Sequence, residues 1–198
     1  MARPTAISQE QILEAARTVF LKSGINATTK EIARTAGIAE STIFYRFPTK
    51  EALFRAAMAD PPLPAWVEEL EQLVGVGDMR ANLLHIGREL IVFSRQIMPM
   101  FMLAFGDNPG LPATEIKPGK QMALQSRERL TLYLQQEISL GRFRDCDAEV
   151  ASKVLFGSCV GFVVDSLTLN QTHTEAETED FVTRLVDVLW GGFAPQRG

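Results

Sequence analysis

Gly37 restricts what the first part of this chain can fold into more than any other residue. It stands between two short stretches of helical pattern, neither long enough to persist alone, and it lets the backbone turn through positive φ. Upstream, Thr28-Thr29-Lys30-Glu31 has the form of a capping box: Thr28 can accept from the amide of Glu31, whose carboxylate can reach back. The spacing predicts a helix from there to about Ala36, with Ile32 and Ala33 inward. Downstream it predicts a helix from about Glu40 to Arg46, with Ile43, Phe44 and Phe47 inward. Ahead of both, Ser8 caps a longer helix through Gln9 to Lys22. Its Ile12, Leu13, Ala16, Val19 and Phe20 recur at helical spacing, and Gly24 stops it. Pro48-Thr49-Lys50-Glu51 closes the third helix and opens a fourth, capped by Thr49 and running to about Ala59.

Two short helices joined by a glycine turn, with a longer helix behind them, describe a helix-turn-helix. Such a unit lays its second helix in the major groove. The solvent face of the third helix carries Glu40, Ser41, Thr42, Tyr45 and Arg46, groups with the reach to probe base edges. Small helical bundles share this spacing, so the pattern alone leaves both a DNA reader and a plain bundle open. Charge favours the reader. Residues 1–58 hold eight Lys/Arg against five Asp/Glu, a net of +3, while the rest of the chain holds 12 against 19, a net of −7. A basic head on an acidic body offers one face to phosphate and repels it elsewhere.

The order Ile12-Leu-Glu-Ala-Ala-Arg, Phe20, Gly24, then Thr28-Thr-Lys-Glu-Ile-Ala and Ala-Gly37-Ile, then Thr42-Ile-Phe-Tyr-Arg-Phe47-Pro-Thr-Lys-Glu-Ala-Leu-Phe54 resembles the N-terminal domain of the TetR family of repressors. The resemblance covers about Gln9 to Met58. It implies an all-α homodimer with a three-helix helix-turn-helix DNA-binding head, residues 1–60, and a larger helical effector-binding and dimerisation body, residues 61–198. It also implies that Thr28, Thr29 and Lys30, where the second helix starts, lie against backbone phosphate. Glu40, Ser41, Thr42, Tyr45 and Arg46 fall on the recognition helix, and Lys50 meets phosphate together with helix-terminal amides. Two departures stand out. Ala39 replaces the family's usual capping residue, at a cost of about 1 kcal/mol. Phe44 replaces a tyrosine whose hydroxyl reaches phosphate. Glu40 has two readings, acceptance from a cytosine amino group or simple preference for a helix N-terminus.

Beyond Pro61-Pro62 the pattern is helical throughout, with helices expected at about Pro64–Val74, Asp78–Phe105, Gly119–Leu140, Asp147–Leu169 and Glu175–Trp190. Asn108-Pro-Gly-Leu-Pro-Ala and Lys117-Pro-Gly mark a break, and Pro99 should kink or end its helix. Phe93, Ile97, Met98, Phe101, Met102 and Phe105, with Met122 and Phe162 on later helices, are soft, bulky side chains of the kind that line an adaptable apolar cavity. The same residues also suit plain core. His85, Arg88, Glu89, Arg95, Arg127 and Tyr133 are polar anchors for a small apolar or amphipathic effector. The 147–169 helix mixes apolar bulk with Gly157, Ser158 and Gly161, and the last helix carries Phe181, Val182, Leu185, Val186 and Leu189. Both stripes fit packing within one subunit. In the resembled family they pair across a homodimer, which would read a palindrome.

The remaining chemistry is narrow. Two histidines, His85 and His173, and no phosphate loop or Ser-His-Asp frame speak against an enzyme. Cys146 and Cys159, without a CxxC, imply no metal and no disulfide framework, and a reducing cytoplasm. No cofactor is expected, and no signal peptide or membrane span is evident. The reading is a ligand-responsive regulator on palindromic operator DNA, released by its effector. A DNA-binding dimer without a ligand is the alternative.

Overall fold

The structure, a computed structural model, describes residues 7–58, 63–105 and 118–192. Among the described residues every regular element is helical. The elements are α1 (Gln9–Ser23), a single 3₁₀ turn (Gly24–Asn26), α2 (Thr29–Ala36), α3 (Glu40–Arg46), α4 (Lys50–Ala57), α5 (Ala65–Leu73), α6 (Met79–Phe105), α7 (Pro118–Ser139), α8 (Ala148–Thr168) and α9 (Glu175–Gly191). They form two compact units. One comprises residues 1–62 with 96–122, the other 63–95 with 123–198.

In the first unit the termini follow local chemistry. Ser8 and Gln11 complete a capping box on α1: the Ser8 hydroxyl accepts from the Gln11 amide at 3.1 Å, and the Gln11 side chain accepts from the Ser8 amide at 2.9 Å. On α2 only half of the expected box forms. Thr28 Oγ1 accepts from the Glu31 amide at 3.1 Å, and the Glu31 carboxylate does not return the bond. Gly37 ends α2 in the left-handed region, φ 69°, with nothing within 4 Å of where a Cβ would stand, so the angle rather than room demands glycine. Gly24 is demanded twice over, by φ 53° and by the Gln96 carbonyl oxygen 2.1 Å from a Cβ position.

The core of this unit is Ile12, Ala16, Phe20, Ile32, Ile43, Leu53, Phe54 and Met58, all fully buried. Phe20, Phe54 and Phe101 stack edge to face in sequence, with centroids 5.0 and 5.2 Å apart, joining α1, α4 and α6. Phe44, expected inside, lies 45% exposed. A seven-residue helix has room for one inward stripe, and Ile43 with the following Phe47 fills it. The fourth helix ends at Ala57 with Met58 as its cap; Ala59 and the Pro61-Pro62 junction lie outside the described residues.

The helix containing Pro99 does not end there. α6 runs on to Phe105. A proline removes one amide from the ladder, and buried Ile97 on one side, with Phe101 held against Phe54 on the other, keeps the chain helical across it. The Asn108 to Ala113 break lies outside the described residues.

The second unit is held by Leu83, Ile86, Leu90, Ile91, Leu130, Leu134, Leu155, Val182 and Val186, all at most 1% exposed. Fully buried Glu137 accepts from the Gly75 amide at 2.7 Å and from Arg142 Nε at 2.6 Å. Arg142 also donates to the Val76 and Gly77 carbonyls, so a paired buried charge ties α7 to the loop between α5 and α6. α9 is bound to α6 by Arg80–Asp187 and Arg88–Glu179, and by Arg95 donating to Thr178 Oγ1 at 2.6 Å. Both cysteines are free thiols. Burial pushes Cys159 up to about 12, which leaves it unreactive.

Candidate nucleic-acid interface

The outward side of α3 is set by what its inward side buries. Ile43 anchors the helix, and residues 41, 44 and 45, at the i, i+3, i+4 spacing of one helical face, point away from it. Tyr45 is 90% exposed and Ser41 is exposed beside it. Thr42 is half-buried, with its amide closing on the Ala39 carbonyl at 3.0 Å. Ala39 gives α3 no side-chain cap, as its methyl requires.

Two of the expected base readers are engaged within the chain. Glu40 Oε1 accepts from the Thr29 hydroxyl at 2.5 Å, tying the start of α3 to the start of α2. Neither of the sequence readings of Glu40 included this partner, which lies eleven residues away in the chain. Arg46 is half-buried and donates from Nη2 to the Ile7 carbonyl at 3.0 Å, holding the approach to α1 against the end of α3.

The residues expected at phosphate sit at helix N-termini. Thr28 is the exposed N-cap of α2, and Lys30 is exposed in its first turn. Lys50, half-buried, opens α4, whose cap Thr49 accepts from the Ala52 amide at 3.0 Å. A hollow of about 660 Å³ runs along this side of the head, lined by Thr28, Lys30, Glu31, Ala33, Arg34, Ile38 and Glu40. Arg34, exposed in the last turn of α2, joins Lys30 there. Its spacing of four from Lys30 was the available signal.

The residues expected to line an effector cavity divide between the two compact units. Ile97, Met98, Phe101, Met102 and Met122 belong to the first; His85, Phe93 and Phe162 belong to the second. Ile97 and Met122 are buried, Met98 and Phe101 half-buried, and Met102 exposed. The Phe105 side chain lies outside the described residues. In the second unit, Phe162 is stacked on His173 and on Phe181 with centroids 4.4 and 4.3 Å away, and Arg95 lies 5.8 Å from its ring centre. His85 pairs with Glu69 at 2.8 Å. The Tyr133 hydroxyl lies 3.2 Å from both Asn82 Nδ2 and Met79 Sδ, and burial raises its pKa. A groove of about 370 Å³ between α5 and α7 is lined by Val67, Leu70, Glu71, Val74, Arg129, Leu132, Tyr133 and Gln136, and so takes in one of the expected polar anchors, Tyr133.

Residues 12–57 match the family described as bacterial regulatory proteins, tetR family. YvkB of Bacillus subtilis, an uncharacterized HTH-type transcriptional regulator, is 38% identical over 92 residues, 45% of this chain and 44% of that one, so the match spans less than half of that relative. TtgR of Pseudomonas putida, an HTH-type transcriptional regulator, is 27% identical over 191 residues, 92% of this chain and 91% of its own. Among solved structures, the transcriptional regulator FadR from Bacillus subtilis, in complex with stearoyl-CoA, superposes with a TM-score of 0.56 at 17% identity, over 94% of this chain and 100% of that one. At such identity the likeness is one of fold. Residues 12–57 thus carry the match to the tetR family, and along most of its length the chain is similar to an HTH-type transcriptional regulator.

Proposed function

We propose that the protein is a homodimeric repressor, acting in the cytoplasm, that grips a palindromic operator through two copies of the 1–60 head and is released when a small apolar or amphipathic effector binds the 61–198 body. The observation that carries the DNA reading is the outward face of α3, with Tyr45 90% exposed on a head whose residues 1–58 carry a net charge of +3.

The dimer reading rests on α8. It is 21 residues long and apolar enough to cross a bilayer by length and composition, yet only 22% of its most apolar stretch is buried. Val150 and Val154 are 53% and 38% exposed, and a Cβ built on Gly157 or Gly161 would meet nothing within 4 Å. These four residues form one row at helical spacing, smooth enough for another helix to approach closely. On α9, Val188 and Trp190 are 37% and 41% exposed. A second copy of the chain, related by a two-fold axis, supplies matching apolar surface and places two heads for successive major grooves.

For the effector, support comes from the body and from the relatives. The Trp66 indole N–H is buried with no hydrogen-bond partner among the described residues, a state that costs about 1–3 kcal/mol and favours an acceptor supplied by a ligand. FadR of Bacillus subtilis, of similar fold, was solved with stearoyl-CoA. A ligand shifts DNA affinity only by the difference between its affinities for the two head arrangements. α4 and α6 are the levers at hand, since Phe54 and Phe101 meet between them.

The test is binding of the purified protein to duplexes from a randomised pool, followed across salt concentration. The expected outcome is a steep fall of affinity with salt. Lys50→Ala is expected to weaken all duplexes alike and to lower the salt slope by about one per head. An unchanged slope removes Lys50 from the interface, and no salt-sensitive affinity for any duplex overturns the reading.

A further inference from the structure

The chemistry left outward on α3 is aromatic. Glu40 is held by the Thr29 hydroxyl and Arg46 by the Ile7 carbonyl. Ser41, Phe44 and Tyr45 then share the face opposite buried Ile43. Phe44 is 45% exposed, while Ile43 and Phe47 on either side are 0% and 7% exposed. An exposed phenyl ring is ordinary on a protein surface. On the face of a helix that enters the major groove it meets a restricted set of partners. The base edges there present donors and acceptors, and the one apolar group of size is the 5-methyl of thymine. Phe44 has no hydroxyl with which to bind phosphate, so its matching contact is apolar.

We infer that Phe44 is a specificity-determining residue that packs against a thymine methyl, so that each operator half-site contains a thymine the protein distinguishes from uracil. This rests on the DNA-binding reading above and adds the identity of a base and the group on it that is read. The outward face then works by contact: Phe44 covers a methyl, and the Ser41 and Tyr45 hydroxyls beside it take the polar edges next to that base.

The test uses a duplex selected from a randomised pool by repeated binding, resynthesised with deoxyuridine in place of each thymidine in turn. Nothing changes except one methyl. The full-length protein is expected to lose about fourfold in affinity per methyl at one symmetric pair of positions, the fold-change that burial of one such group converts to. Phe44→Ala is expected to bind the parent duplex more weakly and to be indifferent to the exchange at that pair, while Phe44→Tyr keeps the discrimination because the ring remains. An exposed position leaves the fold intact, and an unchanged unfolding temperature of Phe44→Ala checks this. Indifference of the unaltered protein to every exchange overturns the inference. So does discrimination that survives Phe44→Ala and vanishes in Tyr45→Ala, which assigns the methyl to Tyr45. Failure to bind any duplex overturns the DNA-binding reading itself, a different result from binding without methyl discrimination.

Discussion

α3 and α8 both turn one face to the outside, and the two faces are opposites. α3 has seven residues, no side-chain cap and one buried anchor, and it displays hydroxyls and rings. α8 has twenty-one residues, is capped by Asp147 accepting from the Val150 amide at 3.0 Å, buries six residues, and displays valines and bare glycines. Helical periodicity locates both faces, but only their chemistry separates the partners. A polar, aromatic face on a basic unit suits base edges and phosphate. A smooth apolar face bearing two glycines suits another helix at close range. Exposure thus marks where a partner goes, and composition says which kind.

The largest effect is expected from a charge placed on the α8 face. A Cβ at Gly157 meets nothing within 4 Å among the described residues, so Gly157→Glu starts into open space, and replacing a helical glycine should itself favour the helix by about 0.5–1 kcal/mol. If α8 forms the dimer seam, the carboxylate is buried without a partner there. Sedimentation should then show monomers where the unaltered chain is dimeric, with duplex affinity down by a hundredfold or more. A dimer that persists and melts higher would place the seam elsewhere and leave the α8 face merely exposed.

A smaller effect sharpens the other side of the comparison. Ala39→Ser supplies the hydroxyl that the α3 terminus lacks. It should stabilise the head by about 1 kcal/mol, seen as a rise of roughly 2–4 °C in unfolding temperature. No rise would mean that the Glu40–Thr29 bond already fixes the start of α3.

What could be read from the chain alone follows the same local logic. Ser8, Thr28, Gly37, Thr49, Asp147 and Thr174 mark helix ends through bonds that span three or four residues, so the element boundaries were legible to within a residue or two. Side-chain partners across the fold were not. Glu40 with Thr29, Arg46 with the Ile7 carbonyl, and Glu137 with Gly75 join residues 11, 39 and 62 positions apart, and no spacing rule reaches that far. Phe44 misled for another reason. An aromatic residue in a short amphipathic helix reads as core, and only the rotation of the helix about Ile43 turns it outward. At Pro99 the helix continues to Phe105, so of the two outcomes a proline allows, a kink or an end, the end does not occur there.

The smallest effect separates two helix starts that share one motif. α1 and α9 each begin with a complete capping box, but the returning side chain is the neutral amide of Gln11 in the head and the carboxylate of Glu177 in the body. The Thr174 amide, bonded to Glu177 at 2.7 Å, holds that carboxyl below its ordinary value of 4.5; the Thr174 hydroxyl adds to this, and His173 adds charge behind them. Glu179, two residues on, is lowered in the same direction by its bond to Arg88. A carboxyl with a depressed folded-state pKa contributes stability that is complete above its unfolded value and is lost as pH falls through the folded one. Acidification from pH 6 towards 3 should therefore loosen the capping box of α9 and leave the neutral box of α1 intact, although Glu10 and Glu14, paired with Arg17, titrate elsewhere on α1. Glu177→Gln keeps the box, in the form α1 already uses, and removes the titration. Unfolding temperature followed against pH should fall less steeply in this variant than in the unaltered chain. Equal slopes would mean that the Thr174 bonds hold α9 equally well whether or not Glu177 carries a charge, and the two helix starts would then be equivalent.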